Sequence, residues 1–411
     1  MTAGAAANGG ERYDPLAAQG GAARGAVQIT AIKAMQVRAP RSLPGHETLI
    51  KIETDAGIVG YGECGASGPL ARAAIATLEG PRLPQFGLIG KDPLAIGVHY
   101  HNLFHAYPQR ARYARVFSGV DIALWDLAGK ILGQPVHRRL GGPFRDEIAL
   151  YSHCGGGDFL DRGAWRDRAQ ELRDDPKGFR AFKVDLHHPL GVPMQGATPS
   201  IGPREARRVG RAYELAREAF GPEIDIIVHG HCELDLPSAI RIAEAIEPID
   251  PLYYEDPIAP DFSESWLALR RATRLPLMTG ENLELPEAAL PFLQHAAVAA
   301  LQPDLINSGG ITGTRRIADL AALYHIPIHL HNVSGLVLAM ASQQWTAAVF
   351  NAPLMECRRD DGQAWAANSN VPVIREGRMR VSTLPGLGLD FDHDRLKAGR
   401  IDGEPWWGDE A

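Results

Sequence analysis

From about Ile148 onward, short apolar runs alternate with amphipathic helical stretches, a repeat that few folds can accommodate. The runs are Ile148–Cys154, Phe179–Leu186, Ile224–His229, Pro251–Glu255, Leu275–Glu281, Ala299–Pro303, Ile326–His331 and Pro353–Glu356. Apolar spacing between them predicts helices over Arg204–Phe220, Pro237–Ile249, Glu264–Thr273, Pro286–Ala297, Thr312–Tyr324 and Val337–Val349. Strands separated by helices pair in parallel. Eight such units in about 210 residues fit a closed α/β barrel of the (β/α)8, or TIM, type. The competing architecture, an open doubly wound sheet, opens with a Gly-x-Gly-x-x-Gly turn, and the first unit lacks one.

Five consecutive runs end on, or just before, an ionisable residue at a steady interval. Glu255 lies 26 residues after His229, Glu281 lies 26 after Glu255, Asp304 lies 23 after Glu281, and His331 lies 27 after Asp304. One strand–helix unit has that length, so these side chains stand at one height on neighbouring strands. In a barrel the C-terminal strand ends converge on a single mouth, where active sites are built. Taken singly, each residue could be a helix cap or a satisfied polar group. Five in register point to a shared site.

The chemistry of that mouth follows from residue type. Glu255 and Glu281 on adjacent strands suit a hard divalent cation, since two unpaired carboxylates in an apolar barrel need a counter-charge. His331 beside Asp304 has the form of a general base and its orienting carboxylate. His231, two residues beyond His229, is expected to point to the same side. Lys183 and Asp185 share one side at the end of the second strand, and Glu356 ends the last. Cys154 and Cys232 have no activating neighbour and are expected to pack.

Ahead of the barrel the grammar differs. Residues 1–26 are rich in Gly and Ala and are expected to form a disordered tail, without the basic start and apolar stretch of a signal peptide. Val27–Val37 and Thr48–Thr54 alternate as strands, Asp55-Ala-Gly offers a turn, and Ile58–Glu63 completes a hairpin. Helical patterns end with Gly119–Leu132, which Gly133 stops. The expected division is an α+β unit over 27–147, a barrel over 148–372 and a C-terminal segment over 373–411. The 42 Lys and Arg against 49 Asp and Glu give a formal net charge of -7, which speaks against nucleic-acid or anionic-membrane partners. No apolar run is long enough to span a bilayer. Four widely spaced cysteines do not make a disulfide framework, so a cytoplasmic setting is expected.

Several stretches resemble the enolase superfamily and, within it, the mandelate racemase/muconate lactonizing enzyme-like acid-sugar dehydratases. They are Gly119-Val-Asp-Ile-Ala-Leu-Trp-Asp-Leu-Ala-Gly-Lys, Pro135-Val-His-Arg-Arg-Leu-Gly-Gly, Tyr254-Glu-Asp-Pro, Gly280-Glu-Asn, Gln302-Pro-Asp, His331-Asn and Pro385-Gly-Leu-Gly. The resemblance runs from about residue 27 to 392. It implies a modified (β/α)7β barrel with an N-terminal α+β capping domain, to which the chain's end returns. It also implies α-proton abstraction beside a carboxylate, giving an enediolate held by Mg2+ on acidic ligands from three successive strands. Those positions fall on His229, Glu255 and Glu281. The first departs from the family, which carries Asp or Glu there, and opens the site to Mn2+ or Zn2+. His331 and Asp304 match the family dyad, His231 the histidine that protonates the leaving hydroxyl, and Glu356 a glutamate donating to the substrate carboxylate. Where racemases carry Lys-x-Lys, this chain has Lys183-Val-Asp185.

That last difference separates reactions. Racemisation needs a base on each face of the α-carbon, whereas dehydration needs one base and one acid, here His331 and His231. The expected activity is therefore dehydration of a polyhydroxy carboxylate to a 2-keto-3-deoxy acid. The alternatives are racemisation, epimerisation or cycloisomerisation. A non-catalytic ligand-binding relative is a further alternative, prompted by His229 at the cation position. Cap loops around Pro40–His46 and Gly60–Ala66 are expected to select the substrate, with His46 and Asp185 touching it. His187–Gly202 is long enough for a lid or a plain surface insertion. A homo-oligomer is expected, and the particular sugar acid is not legible.

Overall fold

The computed structural model describes residues 27–38, 46–79, 87–106, 110–155, 157–191, 200–359 and 373–408. The expected tail, the loop from Pro40 to Gly45 and half of the 187–202 insertion, residues 192–199, lie outside the described residues. An antiparallel sheet comes first, of β1 (Ile29–Arg38), β2 (His46–Thr54) and β3 (Val59–Cys64), in that order. Gly57 turns the β2–β3 hairpin in the left-handed region, where a side chain is strained. Helices α1 (Gly68–Glu79), α2 (Ile96–His101), α3 (Arg110–Ile131) and α4 (Val136–Arg139) complete the cap. The expected helix at Gly119 thus begins nine residues earlier, at Arg110.

The Gly119 stretch owes its composition to packing. A Cβ on Gly62 would fall on the carbonyl oxygen of Gly119, and one on Gly60 on that of Ala123, so β3 and α3 meet at main-chain distance. Two carboxylates on α3 then tie distant parts together. Asp121 accepts from the Thr312 amide at 3.0 Å and its hydroxyl at 2.7 Å. Asp126 accepts from the Tyr61 and Leu387 amides, both at 2.8 Å, and from Lys130 Nζ at 2.7 Å. Both carboxylates are buried, where an unpaired oxygen would cost about 1–3 kcal/mol.

The barrel follows as strands β4 (Glu147–His153), β5 (Ala181–Asp185), β6 (Asp225–His229), β7 (Tyr253–Glu255), β8 (Leu277–Thr279), β9 (Ala300–Leu301), β10 (His329–Leu330) and β11 (Leu354–Glu356). Neighbours pair in parallel, β11 returns to β4, and the bridges Leu301↔Ile328 and Asp304↔His331 join β9 to β10. Such strands are buried on both faces, which is why they read as continuous apolar runs. Seven principal helices lie between them: α5 (Arg162–Asp174), α7 (Pro203–Phe220), α8 (Leu236–Ile246), α9 (Glu264–Ala272), α10 (Leu285–Gln294), α11 (Gly310–Leu323) and α12 (Leu336–Ala347), with a short α6 (His187–Leu190) after β5. Helix α5 was not expected from the sequence. Of its residues only Trp165, Ala169 and Leu172 are buried, and the rest is polar, so its apolar stripe is too thin to register.

After β11 the chain first adds a hairpin, β12 (Ile374–Arg375) and β13 (Arg378–Arg380), whose second strand pairs antiparallel with β4. It then runs through α13 (His393–Ala398) to the cap. Arg38 donates to the Gly399 carbonyl at 2.7 Å, and the Gln36 amide donates to Glu404 at 2.9 Å. Cap and barrel also meet through Glu63, whose carboxylate accepts from the amides of Gly335 (2.7 Å) and Leu338 (3.1 Å) at the start of α12. No helix among the described residues is long and apolar enough to cross a membrane. All four cysteines are free.

Candidate active site

Inside the barrel, Ala181, Ile227, Met278 and Ala300 form an apolar floor with the ring of Tyr151. Above it the composition becomes ionic. Lys183 is fully buried, with Nζ 2.6 Å from Glu255 Oε1 and 3.1 Å from Glu356 Oε1. Burial works against its charge, but Glu255 and Glu356 hold it well above the ordinary lysine range. Glu356 also takes His153 Nε2 at 2.8 Å and the Tyr151 hydroxyl at 3.2 Å. Burial would raise this carboxyl, but Lys183, His331 and His153 hold it well below the usual range. Its oxygens accept from Lys183, His153 and Tyr151 beneath the mouth.

Over this layer opens a cavity of about 1140 Å³ between the barrel mouth and the cap. Residues Glu63–Ser67 form part of its rim, as expected for the Gly60–Ala66 loop. His46 begins β2, but its side chain lies outside the described residues. Of the expected strand-end residues, His229, Glu281, Asp304 and His331 line this cavity and Glu255 lies in the ionic layer beneath it, although not all stand on strands. Glu281, Asp304 and His331 stand one to three residues past the ends of β8, β9 and β10. His231 was expected on the same strand as His229, but β6 stops at His229. His231 (φ 51°) and Cys232 (φ 61°) then turn through the left-handed region, a strained path that brings the two imidazole centroids to 3.7 Å.

His331 and Asp304 form a tight pair: Nδ1 donates to Oδ2 at 2.6 Å, leaving Nε2 toward the cavity, 3.4 Å from Glu281. Burial alone would lower this imidazole, but Glu281, Glu356 and the Asp304 bond hold it up at about 10. Glu281 is correspondingly depressed to about 2, where His331 and His229 outweigh its burial. His231 is pushed down to about 3, first by burial and then by the proximity of His229. Asp185 turns away from Lys183 and toward histidines: His229 Nδ1 at 3.2 Å, His153 Nδ1 at 3.8 Å and His231 Nε2 at 4.0 Å.

His229, Glu255, Asp256 and Glu281 each offer one ligand atom within 4.8 Å of the others. His229 Nε2 faces Glu255 Oε1 at 3.5 Å and Glu281 Oε2 at 3.6 Å. His229 Nε2, Glu255 Oε2, Asp256 Oδ2 and Glu281 Oε2 are all buried without a hydrogen-bond partner among the described residues. Lone pairs that converge in a buried site and accept no hydrogen bond are the donor set of a cation. The residues present fit a divalent metal.

Sequence reasoning missed His153 and Asp256. His153 is the last residue of β4, the position that defined the other candidates, but no spaced partner precedes it. Asp256 follows Glu255 directly and reaches the site through a left-handed backbone (φ 44°), with its other oxygen taken by the Thr279 hydroxyl. Burial, then Glu281 and Glu255, raise Asp256 to about 7.

Comparison with known proteins agrees with this geometry. Residues 164–395 match the enolase C-terminal domain-like family, and residues 42–141 match the mandelate racemase/muconate lactonizing enzyme N-terminal domain. The chain is 31% identical to the D-xylonate dehydratase of Haloferax volcanii over 88% of its own length and 87% of that protein's. It is 30% identical to the D-galactonate dehydratase of Variovorax paradoxus, covering 84% and 89%. A mandelate racemase/muconate lactonizing enzyme-like protein from Rubrobacter xylanophilus superposes with a TM-score of 0.82 at 30% identity, covering 93% of this chain and all of that one.

Proposed function

Because the chain belongs to the mandelate racemase/muconate lactonizing enzyme branch of the enolase superfamily, we propose that it is a metal-dependent acid-sugar dehydratase. The observation that carries this reading is a mouth with a single oriented base. His331 has Asp304 behind it, whereas Lys183 is fully engaged by Glu255 and Glu356. Where the racemase pattern has a second lysine this chain has Asp185, which is engaged by histidines.

His331 Nε2 takes the α-proton of a polyhydroxy carboxylate, and Asp304 fixes its ring and supports the imidazolium. The leaving hydroxyl departs as water with a proton from His231, which takes up that proton on substrate binding because burial and His229 hold it neutral beforehand, and the resulting enol tautomerises to a 2-keto-3-deoxy acid. Lys183 and Tyr151 keep Glu356 fixed beneath the reacting atoms. His229, Glu255 and Glu281 would hold a divalent cation, which would supply positive charge against the substrate carboxylate and offset the glutamates that hold the His331 imidazole up. Mg2+ is the expected ion, and a nitrogen ligand favours Mn2+ or Zn2+ more than three carboxylates would.

The test is a panel of aldonates and aldarates incubated with the metal-loaded protein. Formation of 2-keto-3-deoxy acid is expected. Clean inversion at the α-carbon without loss of water would overturn the assignment. The setting proposed is cytoplasmic and the assembly a homo-oligomer, supported by the exposed Phe144 and Phe350 pair, whose rings lie 6.1 Å apart. Light scattering of the purified protein measures it.

A further inference from the structure

Two departures from the family pattern stand next to each other. His229 takes the place of a ligand carboxylate, and Asp185 takes the place of the second lysine. They are register partners on β5 and β6, paired in parallel. Asp185 Oδ1 accepts from His229 Nδ1 at 3.2 Å, while the opposite ring nitrogen faces Glu255 and Glu281 and has no hydrogen-bond partner among the described residues. A neutral histidine, the form that binds a metal, carries its lone pair on Nε2 when it donates through Nδ1. A carboxylate behind a liganding imidazole fixes that tautomer and strengthens the ligand.

We propose that Asp185 is a positioning residue for the cation site, acting through His229: it takes the Nδ1 proton, aims Nε2 at the ion, and returns from one step away the negative charge that His229 lacks. The two changes are then one compensated exchange. A carboxylate ligand has become an imidazole with a carboxylate behind it. The inference rests on the metal-dependent reading of the site, but its test uses no substrate.

The experiment titrates Mn2+ into metal-stripped wild type, Asp185→Asn, His229→Asp and the double variant, by calorimetry and by pulsed electron paramagnetic resonance of the bound ion. Asparagine keeps a similar shape and removes the charge. Wild type is expected to show one directly bound imidazole nitrogen, absent in His229→Asp. Asp185→Asn should weaken Mn2+ binding about 10- to 100-fold. With His229→Asp already present, Asp185→Asn should weaken it no further. Equal weakening in both backgrounds would make Asp185 a general electrostatic contributor and overturn the proposal. So would wild-type affinity in Asp185→Asn, or two bound nitrogens, which would place the ion among Asp185, His229 and His231 instead. The nitrogen count in wild type decides even where a variant does not fold. Sugar-acid dehydration with no nitrogen on the ion defeats this inference alone. If wild type binds no Mn2+, the metal-dependent reading fails with it.

Discussion

Replacing Lys183 by methionine tests the ionic layer beneath the mouth most directly. The two side chains have similar volume, so the change removes a charge and leaves little cavity. Glu356 retains His153 at 2.8 Å and Tyr151 at 3.2 Å, but Glu255 loses its 2.6 Å contact and keeps only the imidazole of His229 at 3.5 Å. Lys183, Glu255 and Glu356 are all fully buried, so one broken pair is expected to cost about 3–5 kcal/mol. The assay is urea denaturation followed by tryptophan fluorescence, in chelator, at neutral pH. The deficit should shrink on acidification, because a protonated carboxyl needs no counter-charge, and it should shrink again in millimolar MgCl2. The variant should also bind the divalent ion more tightly than wild type, since Lys183 no longer competes for Glu255. A variant as stable as wild type in chelator, with no added response to metal, refutes the assigned charge balance.

Removing the proposed base by His331→Asn should leave the fold intact and lower turnover by about 10²–10⁴-fold, with Asp304→Asn impairing it through lost orientation. Near-normal turnover of His331→Asn on the true substrate would sink the assignment. His229→Asp should shift ion preference toward Mg2+ and away from Mn2+ and Zn2+, read as a ratio of affinities. His153 is held up at about 9, with Glu356 and Asp185 outweighing its burial. A histidine raised in the folded state stabilises below its unfolded value near 6.5, and that contribution is lost as pH climbs toward 9. His153→Gln should therefore flatten the decline in stability across that window, and an unchanged profile counts against it.

The barrel was legible because period and spacing report directly on parallel strands, and the strand-end ions because one unit has a nearly constant length. What escaped had no such signature. Helix α5 buries three side chains on an otherwise polar surface. The left-handed path at His231 and Cys232 is a tertiary constraint on residues that do not favour it. The partners of Asp185 were hidden for another reason. Side-chain direction within the barrel sends Lys183 down to Glu255 and Glu356 and turns Asp185 to the histidines, and residue spacing alone treats the two alike.

The main-chain contact between β3 and α3 reaches further than stability. Rim residues Glu63–Ser67 begin on the last residues of that strand, and α3 is pinned by Asp121 to α11 of the barrel. The height of that rim over the barrel's strand ends is set by peptide atoms wherever Gly60, Gly62 and Gly119 leave no room for a side chain. The molecule carries its own gauge block. Side chains along the rim can be exchanged without touching the peptide atoms that hold β3 against α3.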